Sequence, residues 1–544
     1  MPTGVTAAAA TCSQINLTWL ASTDTGGSGL KGYNVYRNGV YLKQVLTPAT
    51  SSSDSSLAAS TVYSYAVIAM DNAGNASAMS TTTSTNTPGC PVSGGPWVKG
   101  FGGTGDDRGE AVATDGTGNR VIAGSFQGSV NFGGGALVSA GGADAFVAKY
   151  SATGAYVWAR RFGGASDDIA YGVAVDGSGN VVVVGEFQGM VDFGGGTRTS
   201  AGDRDIFVAK YAAGSGAYMW AETYGSTGLD LPYGVAVDGA GDVLVTGIFQ
   251  GTVNFGGTTL SPASSATNLD ALVLKLNGST GATIVAKTFP TGGSAIGYGI
   301  AADPRANCDG AGGTNCIVVV GGNGGHTDFG NGVFVSYGGA YDVFVVKLMA
   351  SGRYLWSRTF GGSGADVANT VAVDSNGDIA LTGYFASVGG MDAGCGTLPN
   401  NGMASAFVAK LSGANLSCLW SHSMGAISNG FGVAIDSRAN CDGVGGHNCV
   451  VASGDFQGSV NFGAGTVTAN SAQDSYVAKY TASGTYVWAK HFNDFGSSVT
   501  NNVSVETSTG TIALTGPFYG TAAFGVGSLI SAGANDIFLL TLTP

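Results

Sequence analysis

Carboxylates recur at fixed places along this chain of 544 residues. In most copies of an internal repeat, one acidic or hydroxyl side chain precedes a short apolar run. These residues are Asp144, Asp205, Asp270, Asp342, Asp474 and Asp536, with Ser405 in the fifth copy. Others lie in the glycine-rich stretches between copies, at Asp106, Asp107, Asp167, Asp168 and Asp366. Such a set could hold a cation or the hydroxyls of a sugar. The alternative is that each carboxylate accepts backbone N–H bonds and fixes its own loop, and recurrence favours it.

Two nearly identical loops, DPRANCDGAGGTNC and DSRANCDGVGGHNC, offer oxygen atoms at alternating positions before a glycine. The candidate calcium ligands are Asp303, Asn307, Asp309, Asp436, Asn440 and Asp442. No acidic residue follows to supply the bidentate ligand that calcium loops use. The other interpretation, a hairpin braced by a disulfide, is therefore favoured. Neither loop has the paired C-x2-C spacing of a zinc site, and no other cofactor is expected.

Catalytic motifs are absent from the sequence. It contains neither H-E-x-x-H nor G-x-S-x-G, and its four histidines occupy unrelated positions in the repeat. A pair among the 35 acidic residues could still act as a glycosidase pair. The fourth and fifth copies depart most from the others in their long loops, which marks a candidate binding patch at His326, Asp328, Asp392 and Asn400.

The elements that must position these side chains form a repeated unit. FGG, VAVD, GN, a β-branched run ending in FQG, D-FVAK and a tryptophan recur in the same order. The closing tryptophans are Trp97, Trp158, Trp220, Trp356, Trp420 and Trp488, with Val285 in the remaining slot. Alternation of period two and tight DGSGN-type turns predict four short antiparallel strands in each unit. A tryptophan stripe could stack sugars, but recurrence at one strand position favours packing.

Six complete units follow Trp97, and a seventh stops at Pro544 without its tryptophan strand. The segment PWVKGF at 96–101 is a tryptophan strand that no unit precedes. Radial repetition leaves only short, protected edges. The sequence therefore predicts an all-β, seven-bladed propeller over 97–544, closed by pairing of the Trp97 strand with the last blade, near Phe538.

The motif GVAVDGSGNVVVVGEF, followed by DIFVAKY and a tryptophan strand, resembles the bacterial β-propeller repeat family called SBBP. The resemblance covers about 97–544. It implies a secreted or surface protein of bacteria and carries almost no agreed molecular activity.

Residues 1–87 form a different module, followed by a Pro/Gly/Ser linker at 88–96. Alternating strands predict a β-sandwich. Trp19 and the corner residues Leu57, Thr61 and Tyr63 resemble fibronectin type III, although Ala59 and Ser60 replace the Pro-Gly of that corner.

Eight cysteines indicate an oxidising compartment. The expected pairs are Cys308 with Cys316, Cys441 with Cys449, Cys12 with Cys90, and Cys395 with Cys418. The alternative is reduced cysteines that pack as small core residues. The chain begins at Met1 inside a domain, so a signal peptide is expected to have been removed.

The composition argues against two classes of binding partner. The net charge of −13 is unfavourable for binding to nucleic acid or to anionic lipid. No apolar run reaches the length of a membrane span. We expect a secreted or cell-surface, non-enzymatic protein whose propeller presents a rigid face to a protein or a glycan. High glycine and low charge also fit a structural subunit that packs against copies of itself, and fibronectin-like modules also accompany carbohydrate-active enzymes.

Overall fold

The computed structural model describes residues 1–544 except 12–13, 25–26, 56, 58–60, 88–94, 263–268, 290–291, 304, 331, 339, 401–402, 426 and 493–495. The predicted Cys12–Cys90 pair, Ala59, Ser60 and most of the predicted linker lie outside the described residues. Within the described ranges the protein is all-β, without helix, as the sequence predicts. Two compact units are present, one built on Met1–Val92 and the other on Ser93–Asp115 and Asn119–Pro544.

The N-terminal unit contains two sheets. The three-stranded sheet consists of Thr3–Thr11, Gln14–Leu20 and Ser51–Asp54. The four-stranded sheet consists of Val40–Leu46, Leu30–Arg37, Val62–Asp71 and Thr83–Asn86. Ile15, Leu17 and Trp19 of the first sheet pack in one core with Tyr33 and Tyr65 of the second. The Tyr65 hydroxyl donates to Asp54 at 2.7 Å, which satisfies this buried phenol.

The second unit contains seven successive antiparallel sheets within its described residues, here called sheets one to seven. Sheet one is Arg108–Thr114, Arg120–Phe126, Asp144–Tyr150 and Tyr156–Phe162; sheet two is Ile169–Val175, Val181–Phe187, Asp205–Tyr211 and Tyr218–Tyr224. Sheet three is Leu231–Val237, Val243–Phe249, Asp270–Leu276 and Thr283–Thr288; sheet four is Ala295–Asp303, Cys316–Asn323, Asp342–Leu348 and Tyr354–Phe360. Sheet five is Asp366–Val373, Ile379–Phe385, Ser405–Leu411 and Cys418–Ser423; sheet six is Ile427–Asp436, Cys449–Gln457, Asp474–Tyr480 and Tyr486–Phe492.

Sheet seven draws strands from both ends of the unit. Its strands are Ser497–Ser498 and Asn502–Val505, both paired with Ile512–Tyr519, then Asp536–Leu542 and Val98–Phe101. Gly100 is the register partner of Phe538, and the Thr541 amide donates to the Trp97 carbonyl at 2.8 Å. The pairing predicted from the split repeat is therefore present.

The sheets also contact one another in order. The first strand of each sheet contacts the first strand of the next, and Asn502–Val505 of sheet seven contacts Arg108–Thr114 of sheet one. The Ser504 hydroxyl, for example, donates to the Thr114 hydroxyl at 3.1 Å. The last of the seven sheets thus contacts the first.

Each sheet carries a small two-stranded hairpin between its second and third strands, where the sequence predicts only a long loop. The hairpins are Ser129–Asn131 with Ala136–Val138, Met190–Asp192 with Thr197–Thr199, Val253–Phe255 with Thr258–Leu260, His326–Asp328 with Val333–Val335, Met391–Asp392 with Thr397–Leu398, Ser459–Asn461 with Thr466–Thr468, and Thr521–Ala523 with Ser528–Ile530. In the first hairpin, Asn131 Oδ1 accepts the N–H groups of Gly133 and Gly135, so one side chain fixes the turn.

The core lies between neighbouring sheets. All seven residues of Val181–Phe187 are buried, because the two faces of this strand pack against different sheets. Gly185 interrupts this apolar run for a steric reason: a Cβ atom there would lie 2.0 Å from the carbonyl oxygen of Ile169 in the bulged first strand. The recurring glycine of VVVVGEF is therefore required by the close approach of two backbones.

A buried ion pair, which is not among the contacts predicted from the sequence, joins the first and third strands of each of the first six sheets. The aspartate of VAVD and the lysine of FVAK meet at 2.7–2.9 Å. The pairs are Asp115–Lys149, Asp176–Lys210, Asp238–Lys275, Asp303–Lys347, Asp374–Lys410 and Asp436–Lys479. The signal was visible, since the two motifs always recur together.

Sheet seven has a different ion pair. Glu506 occupies the aspartate position and Thr541 the lysine position, so the third strand offers no cation. Arg120 of sheet one supplies it, with its Nη2 3.1 Å from Glu506 Oε2. Both side chains of the pair are at most 1% exposed. The Arg120 Nε and Nη1 groups have no hydrogen-bond partner in the described part of the chain. The pair therefore joins the first and last sheets at a cost in desolvation.

We expect the Arg120→Met variant to lose about 3–5 kcal/mol of unfolding free energy, because it leaves the Glu506 carboxylate buried without a cation. Urea unfolding followed by tryptophan fluorescence measures the loss. The double variant Arg120→Met with Glu506→Leu removes both charges and is expected to recover most of it. Equal losses in the single and double variants would contradict this assignment.

Candidate functional site

One cavity of about 300 Å³ is lined by the first strands of all seven sheets. It is called here the first-strand cavity. In each first strand the same register position, five residues before the recurring aspartate or Glu506, contributes a side chain to the wall. These residues are Glu110, Tyr171, Tyr233, Tyr298, Asn369, Phe431 and Asn501. The seven positions hold four residue types, so the repeat does not fix their identity.

Three tyrosines of sheets two to four stand in series along the wall. The ring centroids of Tyr171 and Tyr233 are 6.0 Å apart, and those of Tyr233 and Tyr298 are 5.0 Å apart. Burial raises the pKa of Tyr233 to about 12 and raises the pKa of Tyr171 and of Tyr298 as well. The three phenols are neutral at physiological pH and can donate hydrogen bonds.

Glu110 is the one charged side chain among the residues described as lining the cavity. Its Oε2 accepts a hydrogen bond from Asn501 Nδ2 at 2.9 Å, and the same amide also donates to the Gly109 carbonyl at 3.1 Å. Burial raises the pKa of Glu110, against the lowering effect of Arg108 and of the Asn501 hydrogen bond. A second carboxylate, Glu186, lies beside Tyr171 but pairs with Arg204 at 3.1 Å. Chemically the wall combines aromatic rings, amides and one carboxylate.

The aspartates that the sequence places before the third strands are the first residues of those strands, and they accept hydrogen bonds from the loops that lead into them. Ala140, Asn470 and Ala532 each donate a backbone N–H to the aspartate four residues on, at 3.0 Å. Those aspartates are Asp144, Asp474 and Asp536, and Asp205 and Asp342 accept equivalent backbone bonds. Asp270 and Ser405 are also buried.

The FGG motif has a steric relation to these aspartates. A Cβ atom at Gly163 would lie 2.4 Å from the Asp144 carboxyl carbon. The carboxylate therefore needs this glycine, which explains why the FGG motif and the aspartate recur together.

The aspartates between sheets clamp two loops with their two oxygens. Asp168 Oδ2 accepts from Gly164 N at 2.8 Å, and its Oδ1 accepts from Gln188 N at 3.0 Å. Asp107 and Asp366 do the same in their sheets. Asp106 instead pairs with Arg108, and Asp167 accepts the Ala143 amide. These contacts favour the loop-fixing interpretation of the recurrent aspartates over a shared ligand.

The two calcium candidates are held by protein donors. Asp303 pairs with Lys347 at 2.7 Å and Arg305 at 2.6 Å, and Asp309 Oδ1 accepts the amides of Ala311 and Gly313. The equivalent residues of the second loop make the same contacts. Asp436 pairs with Lys479 and Arg438, and Asp442 accepts the amides of Val444 and Gly446. In each loop the asparagine, Asn307 or Asn440, accepts one glycine amide. Among the described residues, no group of three or more His, Cys, Asp or Glu side chains is placed to hold a metal ion.

Three of the predicted disulfides are formed: Cys308–Cys316, Cys395–Cys418 and Cys441–Cys449. The first and last close the two repeated loops. The hairpin interpretation of these loops therefore accounts for their cysteines as well as for their oxygen atoms.

The predicted binding patch is divided between two hairpins. Asp328 Oδ1 accepts the amides of Gly330 and Gly332, as Asn131 does in sheet one, and Asp392 repeats the pattern in sheet five. His326 is exposed beside Asp328, and Asn400 Nδ2 donates to the Phe385 carbonyl at 3.3 Å. The two aspartates are thus turn residues of the repeat, and the first-strand cavity lies elsewhere.

The tryptophans join neighbouring sheets. Trp158 Nε1 donates to the Ala213 carbonyl of the next sheet at 3.1 Å, and a Cβ atom at Gly216 would lie 2.7 Å from the Trp158 ring. Trp97, Trp220 and Trp420 make the same kind of hydrogen bond. This supports the packing role rather than a sugar-stacking stripe.

Comparison with known proteins gives short matches. A family model described as "Beta-propeller repeat" matches residues 157–186. Exoglucanase B of Cellulomonas fimi is 48% identical over 95 residues, which are 18% of this chain and 8% of the exoglucanase. Chitinase Chi52 of Paenibacillus xylanexedens is 40% identical over 105 residues, 19% of each chain. The chain thus spans less than a fifth of each of these relatives.

A solved quinohemoprotein alcohol dehydrogenase of Comamonas testosteroni aligns over 89% of this chain and 73% of its own, at 12% identity and a TM-score of 0.36. Within the described residues no helix has the length and apolar character needed to cross a membrane.

We expect the protein to be more stable at about pH 5 than at about pH 8, because burial raises several aspartate pKa values above the unfolded value of about 3.9. Burial raises the pKa of Asp168 to about 7, and of Asp205, Asp342, Asp455 and Asp536 to about 6. A group with a raised folded pKa stabilises the protein at low pH, and this contribution is lost as the pH rises through the folded pKa.

Below about pH 4 we expect the stability to fall as the pH is lowered further. Burial opposes ionisation of Asp176, but hydrogen bonds from Lys210 and Asn180 lower its pKa overall, so its contribution is lost on protonation. Melting temperatures measured by calorimetry between pH 3 and pH 9 test both predicted losses of stability. Asp168→Asn is expected to reduce the fall in melting temperature between pH 5 and pH 8. A melting temperature that rises steadily from pH 5 to pH 8 would contradict the assignment.

Calcium is expected to leave the melting temperature unchanged, because Asp303 and Asp436 already pair with lysine and arginine. Thermal unfolding in millimolar calcium and in EDTA tests this, with magnesium as the control ion. A calcium-specific rise that is lost in Asp309→Asn would establish the calcium site.

Proposed function

We propose that the protein is a secreted or cell-surface bacterial protein that binds a glycan without cleaving it, and that the first-strand cavity is its binding site. The observation that carries this proposal is the wall of three consecutive tyrosines with amides and one carboxylate in a cavity of about 300 Å³. Ligand sites are concave, rich in aromatic side chains and supplied with a few polar groups, in volumes from about 300 Å³ upward.

The scaffold of this site is a seven-bladed β-propeller in our proposal. Each of the seven sheets is one blade, and the Val98–Phe101 strand completes the last. The contacts between first strands, which lead from sheet one through sheet seven and back, support a closed ring. In such a ring the first strands surround the axis, so the cavity is axial.

The N-terminal unit is proposed to be a fibronectin type III-like module. Its two sheets share a core around Trp19, and its length of Met1–Val92 is close to the 95 residues matched in the exoglucanase. The two relatives are named as an exoglucanase and a chitinase. In our proposal the matched segment is this module, and a module in common with proteins of those names supports a glycan as the ligand in preference to a protein.

Two observations support the secreted location and the lack of enzyme activity. Three disulfides close within the described residues, which is typical of proteins of oxidising compartments. Glycoside hydrolysis uses two carboxylates on either side of the bond. The described cavity wall offers Glu110, while the nearby Glu186 is paired with Arg204.

A glycan array followed by calorimetric titration of the best ligand tests the proposal. We expect Tyr233→Leu to weaken binding at least about tenfold, equivalent to about 1.4 kcal/mol, because the central ring of the tyrosine row is lost. Tyr519→Leu is the matched control, since Tyr519 is 54% exposed and does not line the cavity.

No binding to any glycan, or equal effects of the two substitutions, would contradict the proposed site. Release of reducing ends from a bound polysaccharide, lost in Glu110→Gln, would show that the protein is an enzyme.

A further inference from the structure

The carboxylate of the first-strand cavity lacks a cation in contact with it. Glu110 Oε2 accepts the Asn501 amide at 2.9 Å, whereas Oε1 has no hydrogen-bond partner in the described part of the chain. Arg108, two residues away, pairs with Asp106 at 2.8 Å and is 49% exposed. Glu110 is therefore oriented by an amide and left with one oxygen for a ligand.

Glu110 is partly buried, and the fully buried glutamates near the first strands have partners of their own. Glu186 is paired with Arg204, and Glu506 with Arg120. Burying a carboxylate without a cation is unfavourable, and the raised pKa of Glu110 reflects this cost. A ligand that brings a positive charge to Oε1 would remove the penalty.

The tyrosine row favours the same kind of ligand. Tyr171 occupies the equivalent wall position in the sheet that follows Glu110, and Tyr233 and Tyr298 continue the row at 6.0 and 5.0 Å between centroids. Aromatic rings attract cations through their quadrupole, by about 0.5–2 kcal/mol, and they also pack against sugar rings. A carboxylate at the end of a row of tyrosines is thus complementary to a ligand in which a cationic group is attached to a sugar ring.

We infer that the cavity binds a glycan that contains an amino sugar, with the protonated amine at Glu110 Oε1 and the sugar ring along Tyr171 and Tyr233. This inference rests on the proposed glycan-binding function and names the class of its ligand. The amide of an N-acetylated sugar is uncharged and lacks the interaction with Glu110.

Titration calorimetry with two oligosaccharides tests the inference. The probes are β-1,4-linked oligomers of glucosamine and their fully N-acetylated counterparts, at a near-neutral pH, because burial raises the pKa of Glu110 and acid would neutralise its carboxylate. We expect the amine form to bind at least about tenfold more tightly to the unmodified protein. Glu110→Gln keeps the size of the side chain and an acceptor for Asn501, and it is expected to abolish the preference.

Attraction of a cationic oligomer to a protein of net charge −13 must be separated from binding in the cavity. Asp203→Asn removes one negative charge at an exposed site outside the cavity and is expected to retain the preference. The preference is also expected to persist at about 0.5 M salt, where exposed charges are screened within a few ångströms.

Equal affinity for the two oligomers, or a preference that survives Glu110→Gln, would overturn the inference and leave the proposed glycan site standing. Binding to neither oligomer nor to any other glycan would overturn the proposed function as well. If Glu110→Gln failed to fold, equal affinity of the unmodified protein for the two forms at high salt would by itself be decisive.

Discussion

The buried pair between the VAVD aspartate and the FVAK lysine holds each of the first six sheets together across its width. It joins the first strand, which lines the cavity, to the third strand, which is buried throughout. The two buried charges are tolerated because they neutralise each other, and in sheets four and six Arg305 and Arg438 supply the aspartate with a second cation. The pair thus fixes the position of each first strand, along its own axis, relative to the third strand of its sheet.

That constraint leaves the wall of the cavity free to vary. The wall position lies five residues before the paired aspartate, and in sheets one to six it is the extra residue of a β-bulge. In sheet two, for example, Ala170 and Gly172 pair with Gly185 and Val184, so the bulge falls at Tyr171. In this chain the position holds one glutamate, three tyrosines, two asparagines and one phenylalanine. Each first strand therefore holds its sheet together with one part of its length and contributes to the site with another.

Much of the fold could be predicted from the sequence because its signals are local and repeated. Alternation, DGSGN-type turns and the unpaired PWVKGF strand gave the four strands of each sheet and the pairing of Val98–Phe101 with Asp536–Leu542. The hairpins between second and third strands were missed because their strands are two or three residues long. Their stability comes from one Asx turn and from buried residues such as Val130 and Phe132.

The candidate site was harder to predict because no motif marks it. The long loops of the fourth and fifth copies depart most from the repeat, but there Asp328 and Asp392 only form turns. The informative position is the one five residues before the recurring aspartate, and its seven residues, far apart in sequence, meet only when the sheets are assembled. Ion pairs such as Asp238–Lys275 were missed for a related reason, since contact between motifs 37 residues apart requires the register of three strands.

The completion of sheet seven by Val98–Phe101 has a consequence for synthesis. Trp97 and Thr541 are 444 positions apart, so at about 5–20 residues per second the strand is made roughly 20–90 s before its partner leaves the ribosome. Over that interval the nascent chain carries an orphan strand beside growing sheets, each of which has apolar side chains on two faces. Val98–Phe101 can therefore pair with Asp536–Leu542 only after nearly the whole chain has been synthesised.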